Sequence, residues 1–407
     1  MTKRRRKRKS IIGRLLSLIL WAALLILLAI LGMYAGNRYG WLNVSLPWQE
    51  TEPEEEWDRQ KEGYYYAFLT EEEKQVYRAI VRSCEQFVFD VKLNRPVSED
   101  SVFHAAAAVA FDDPEYYWVN STYTYYRNGN DEVNEIEFES DGTEQQKTEQ
   151  LRRIAEEVKR QLPEEPYEAY RYLFEYVIDA TEYDEAAAES GQNLTSVFFD
   201  HHSVCAGYSK AFQYLCRQAG LSCVYVTGTA VTKNGSASSH AWNLIEINNQ
   251  NYWVDVTWGD PMFEGYATDL KNYNYFCVSD ATIHAEHQIE TAVKSESGKS
   301  PLQVSYPECP DDSLDWYRLN GCYFETFDHN AVRQVIQNSL VNGKELIALK
   351  FSSYDVMMDA VSDLIYREQF FAIARDAGVM CRTLSYVTYD GIAAVWIIPG
   401  YEVENGE

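Results

Sequence analysis

At 407 residues, with 46% hydrophobic and 24% charged side chains, the chain has room for two or three compact units, and its composition excludes wholesale disorder, a collagen-like repeat and a disulfide-stapled miniprotein. The net charge of −26 is unevenly spread: residues 1–38 carry nine Lys or Arg and no acid, leaving 27 bases against 62 acids, a net of −35, beyond them. A body that acidic is repelled by phosphate backbones and anionic headgroups, which argues against a nucleic-acid partner.

The basic residues open the chain. Lys3 to Lys9 is an unbroken run, and residues 15–36 follow with no charge at all. As a helix that stretch reaches about 33 Å, enough to cross a hydrocarbon core. The expectation is a cytoplasmic tail over 1–14, a transmembrane helix over 15–36 and an extracytoplasmic body, because positive charge stays on the cytoplasmic side. A cleaved leader fits less well, since the apolar run is long and Tyr34-Ala35-Gly36 makes a poor cleavage site. Residues 37–63, rich in Glu, Gln, Asp, Trp and Pro, read as an acidic stalk.

An accessory helical and hairpin region is expected over 64–162. Thr70 and Glu73 form a capping-box pattern opening a helix to about 87, and a second helix over 98–113 ends at Asp113-Pro114. Strands over 116–126 and 132–138 flank Asn128-Gly129, a hairpin signal. Helices follow over 143–162, stopped by Pro163, and 166–180. The segment 163–300 turns from helix to strands rich in Val, Tyr and Trp, and 301–407 reads as a small α/β unit: strand 322–326, helix 330–342, strand 345–351, helix 354–377, strands 383–387 and 392–398.

Eight cysteines are scattered without a CxxC pair. Outside a membrane Cys309 with Cys322, or Cys216 with Cys223, are local disulfide candidates, a choice the spacing does not make. Cys205, Cys216, Cys223 and His240 lie too unevenly for zinc, and His201-His202 beside Cys205 is the nearest approach to a cluster. No metal and no cofactor is assigned. His284 and His287, in a polar stretch, read as solvated.

Chemistry concentrates in the central segment. Cys205 precedes a helical pattern that runs to Ala219 and closes at Gly220. At a helix N-terminus, unpaired amides and the macrodipole favour a thiolate. Downstream, two strands flank Asn248-Asn249, residues that tolerate the positive φ of a two-residue type I′ turn. That register pairs 247 with 250, 242 with 255 and 240 with 257, and makes His240 and Asp255 diagonal neighbours about 7 to 8 Å apart on one face. Ala241, Ile245, Ile247, Tyr252, Val254 and Val256 form the opposite, core face, so the His240/Asp255 face is expected to look away from the core. A thiol, an imidazole and a carboxylate that orients it are the parts of acyl transfer through a thioester.

At these residues the sequence resembles the transglutaminase-like superfamily of papain-like fold, specifically its bacterial members. The matching motifs are Ser203-Val204-Cys205-Ala206-Gly207-Tyr208-Ser209, Ser239-His240-Ala241-Trp242-Asn243, and Tyr252-Trp253-Val254-Asp255-Val256-Thr257-Trp258-Gly259-Asp260-Pro261, with Tyr183-Asp184 and Tyr275-Phe276 as flanks. The resemblance covers about 167–288. It implies an α+β core, a Cys-bearing helix packed on an antiparallel sheet, with Cys205 as nucleophile, His240 as base and then acid, and Asp255 as orienter. It implies a cysteine-dependent enzyme acting on amide bonds and leaves peptidase, deamidase and transglutaminase open; with the body expected outside the membrane, the expected substrates are surface proteins or wall peptides. The alternative is a binding or scaffolding module that kept the fold without the activity.

Overall fold

A computed structural model describes residues 62–401 apart from 121, 232–234, 262–269 and 296–298, together with Leu24, Leu25, Leu28, Ala29 and Gly32. No helix among the described residues is long and apolar enough to cross a membrane; the span expected over 15–36 and the stalk over 37–63 lie, bar the residues just named, outside them.

Helix α1 (Glu71–Glu85) starts as expected: the Thr70 side chain accepts from the Glu73 amide while the Glu73 carboxylate accepts from the Thr70 amide. Strand β1 (Asp90–Val97), in a stretch with no strand pattern in the sequence, precedes α2 (Glu99–Asp112). Strands β2 (Tyr123–Arg127) and β3 (Val133–Phe138) form the hairpin, and β1 pairs with the far side of β3 in the order β1-β3-β2. The first hairpin strand begins at Tyr123, later than the expected 116. Helices α3 (Glu144–Arg160) and α4 (Pro166–Ala180) follow, the latter with proline in its first turn, where the missing N–H costs nothing.

The centre is an antiparallel sheet with one helix laid on it. Strand β4 (Glu182–Tyr183) runs parallel to β5 (His202–Ser203), which leads into α5 (Cys205–Ala219), closed by Gly220 at φ 78°. Strands β6 (Cys223–Val231), β7 (Ala237–Ile247), β8 (Gln250–Val254), β9 (Phe276–Val278), the short helix α6 (Asp280–Ile283) and β10 (His287–Ile289) complete the element, in the sheet order β10-β6-β7-β8-β9. Asn248 and Asn249 hold φ of 54° and 62°, and Ile247 pairs with Gln250, as the two-residue turn requires.

Both faces of this sheet are buried. On one, Ile245, Ile247, Tyr252 and Val254 pack with Tyr208, Phe212 and Leu215 of α5 and with Leu173 and Phe174 of α4. On the other, Trp242, Leu244 and Trp253 join one continuous apolar cluster with residues of the accessory region, including Tyr65, Ile80 and Val109. Strand β11 (Ala292–Val293) pairs with β12 (Leu302–Gln303) beyond the sheet.

The last segment holds α7 (Trp316–Leu319), β13 (Tyr323–Phe324), α8 (His329–Val341), β14 (Ile347–Phe351), α9 (Tyr354–Val361), α10 (Gln369–Asp376), β15 (Cys381–Tyr389) and β16 (Ala394–Tyr401). Its four strands order β13-β14-β16-β15, and a separate buried cluster drawn wholly from this segment underlies them. The single helix expected over 354–377 runs instead as α9, a π-helical turn at Ser362–Tyr366 and α10, the last set off by Glu368 at φ 60°, outside the helical region. All eight cysteines are free thiols.

Candidate active site

Cys205 is the first residue of α5, after an extended Val204. Two hydrogen bonds lock this helix to β7: Ser209 Oγ donates to the Ala241 carbonyl at 2.9 Å, and Asn243 Nδ2 donates to the Ser209 carbonyl at 3.0 Å. Gly207 lets the helix start pass close to its surroundings, since a Cβ there would meet Ser203 Oγ, and also Gly191 O and Ser196 Oγ at 2.7 Å. Cys205 thus packs against Ala241 and Tyr225, beside the strand position of His240.

The three residues expected to act together are brought together. His240 Nε2 lies 2.7 Å from Asp255 Oδ2, and Cys205 is close enough to favour the charged form of the ring. With Nε2 engaged by the carboxylate, Nδ1 is the ring nitrogen left for the sulfur. The route differs from the expected ladder neighbours, because the β7–β8 ladder ends at Asn243 with Val254. Asp255 has left the strand: its amide donates to the Tyr275 carbonyl at 2.9 Å, and its Oδ1 accepts from the Trp258 amide at 3.1 Å. That turn aims the carboxylate back at His240.

The expectation that this face looks away from the core is corrected. Asp255 is 0% and His240 7% exposed, because the chain after Asp255 folds back over the face with Trp258 and Tyr275. His287, read from sequence as solvated, is buried against the same carboxylate, its Nε2 3.0 Å from Asp255 Oδ2. Strand β10 carries it there by pairing with β6, and Gly228 permits the approach: a Cβ at 228 would meet the Gln288 carbonyl, and Trp242 Cη2 at 2.6 Å. The missed signal is a short strand pairing far from its partner in sequence. His284, by contrast, remains half exposed, as expected.

Burial would drive the His240 imidazolium down, yet the Asp255 carboxylate, with a lesser contribution from Cys205, overrides this and lifts it to about 10. Burial would raise Asp255, but the histidine rings, His240 foremost, hold it far below the usual carboxylate range. Burial pushes His287 down despite the carboxylate, which leaves that ring neutral. Such a site can hold an imidazolium beside a sulfur.

The second and third motifs are tied to the first elsewhere too. Tyr208 Oη donates to Asp260 Oδ2 at 2.5 Å, and Gly259 sits where a Cβ would strike Phe174 of α4. Of metal-ligating types, His240, Asp255 and His287 place ligand atoms within 4.8 Å of one another. Both rings donate to one Asp255 oxygen, and His287 Nδ1 is buried without a hydrogen-bond partner among the described residues. The sequence's nearest approach to a cluster, His201-His202, is exposed, and His201 Nδ1 bonds the Ala180 carbonyl at 2.7 Å.

Residues 152–258 match the family model of the transglutaminase-like superfamily. The chain is similar to the kyphoscoliosis peptidase of Mus musculus, 30% identical over 134 residues, and to that of Homo sapiens, 28% identical over 134 residues; each alignment covers 30% of this chain and 20% of the relative. The chain therefore spans about one-fifth of the length of these curated relatives. Among solved structures it is similar to a TGase, at 14% identity over 37% of this chain and 45% of that one, and to a candidate cysteine protease of Cytophaga hutchinsonii, at 15% identity over 40% and 55%. Both have TM-scores of 0.24, too low to bear on the fold. His240 and Asp255 fall inside the matched segment with Cys205, and His287 falls outside it. The chain thus carries a transglutaminase-like superfamily domain at residues 152–258.

Proposed function

We propose that this chain is a cysteine-dependent acyl-transfer enzyme acting on amide bonds, with Cys205 as nucleophile, His240 as acid and base, and Asp255 as the residue that orients and charges His240. The observation that carries this is the 2.7 Å bond between His240 Nε2 and a carboxylate sealed from water, on a strand whose neighbour Ala241 packs against Cys205 at the start of α5. In the reaction the Cys205 sulfur attacks the amide carbonyl carbon. The first-turn amide of α5, which has no acceptor within its helix, is aimed to stabilise the oxyanion. His240 gives its Nδ1 proton to the departing amine, leaving a thioester on Cys205. Water, or a second amine, then loses a proton to His240 as it attacks the thioester, and the thiolate is released.

The relatives named as peptidases support hydrolysis, and the uncharged run over 15–36 behind a basic tail supports a body held outside the membrane, facing surface proteins or wall peptides. The test is labelling of the full chain with iodoacetamide at pH 6, followed by peptide mapping. Cys205 should react ahead of the seven other cysteines, and His240→Ala should abolish that preference. Slow, uniform labelling of all eight would leave only a scaffold.

A further inference from the structure

The reaction centre contains a second histidine that the three motifs do not include. Asp255 Oδ2 faces His240 Nε2 at 2.7 Å and His287 Nε2 at 3.0 Å, and Oδ1 takes the Trp258 amide at 3.1 Å. Those three donors surround a carboxylate with 0% exposure, and a buried charge persists only where such donors replace water. His287 is itself confined: its ring centre lies 4.5 Å from Trp258, 5.0 Å from Trp242 and 5.0 Å from Tyr275. The strand that delivers it reaches β6 at Gly228, the residue opposite His240 in the β6–β7 ladder. Strands β7 and β10, on either side of β6, therefore bring their histidines to one oxygen of the turn after β8.

We propose that His287 is a positioning residue of this centre: it donates from Nε2 to the Asp255 oxygen that binds His240, and so keeps the carboxylate ionised and aligned for His240. The proposal rests on the functional reading above. His287 touches neither the sulfur nor a substrate; it acts through Asp255. Removing its N–H leaves the buried carboxylate one donor short, which raises its affinity for a proton. The proton most readily taken is the one His240 carries, and a His240 that has lost its charge no longer stabilises the thiolate. The titratable groups facing this cluster are His240 from β7, Asp255 after β8, Cys205 at the start of α5, Tyr183 of β4, Tyr225 of β6, Tyr275 before β9, and Glu286 before β10, which accepts from Tyr275 Oη.

The experiment is the pH profile, from 4 to 9, of Cys205 alkylation by iodoacetamide on the full chain, with thermal melting of each variant. His287→Leu should move the midpoint upward by about one pH unit, the scale of one lost hydrogen bond to a charge. His287→Gln, which restores an N–H at similar reach, should return the profile to that of wild type, whatever either change does to the melting temperature. A merely structural histidine would lower melting and leave the midpoint of the folded fraction in place. An unmoved midpoint in the leucine variant, or an equal shift in the glutamine variant, overturns the proposal; should the leucine variant not fold, His287→Phe, which also lacks the N–H, is read by the same criteria. If wild-type Cys205 shows no preference that depends on His240, the functional reading is what fails.

Discussion

His240 and Asp255 meet through a single 2.7 Å contact inside the protein, and their ionisation shifts are opposite in sign. The raised His240 contributes stability that is complete below its unfolded value of about 6.5 and is lost as pH rises through about 10. The depressed Asp255 contributes stability present above its unfolded value of about 3.9 and lost only as pH falls toward its folded value. Melting temperatures of wild type and His240→Ala should therefore differ most between roughly pH 4 and 6.5 and converge toward pH 10. A gap that stays constant across this range would remove the charge pair from the account.

Asp255→Asn preserves volume and removes the charge. The variant should fold, while Cys205 alkylation at pH 6 to 7 falls by about 100-fold or more, in line with the loss seen when a triad acid is neutralised. Near-normal labelling would show that Asp255 does not set the state of His240.

Gly207 is the second residue after Cys205 and lies against Ser203 Oγ and the Gly191 carbonyl. Gly207→Ala has to displace backbone, so it should cost about 1 to 3 kcal/mol in urea unfolding and slow Cys205 labelling besides. Unchanged stability would mean that the helix start has room that its contacts deny.

Lys350 on β14 and Asp315 before α7 form a 2.6 Å ion pair with both side chains buried, and Asp315 also caps α7 through the Tyr317 amide at 2.8 Å. Lys350→Met strands the carboxylate and should cost about 3 to 5 kcal/mol. Adding Asp315→Asn should recover part of that loss. A double variant no more stable than the single one would argue that the pair is not coupled.

Local chemistry was the legible part of this chain. The Thr70/Glu73 cap, Pro166 at a helix start, Gly220 at a helix end and Asn248-Asn249 in a tight turn each act within a few residues, so a reader of sequence finds them. Cys205, His240 and Asp255 were also within reach, since a helix start and one hairpin bring their backbones near, though the turn after β8 is what aims the Asp255 carboxylate. What escaped depends on distant pairing. Strand β1 carries Lys92, Asn94 and Arg95, has an irregular register with β3, and shows no clean alternation. His287 looks polar and exposed until β10 is laid on β6. The break at Glu368 has no glycine or proline to announce it.

The Tyr65 hydroxyl donates to the Tyr225 carbonyl at 2.6 Å and pairs with Tyr306 Oη at 2.8 Å, so chain from before and after the matched segment is clamped to the strand beside Cys205. It follows that 152–258 is not a portable unit. Expressed by itself it would forfeit the whole of β9 and β10 and bare the indoles of Trp242 and Trp253 to solvent, an invitation to aggregate; a smallest soluble fragment would have to run from Tyr64 to at least Cys309.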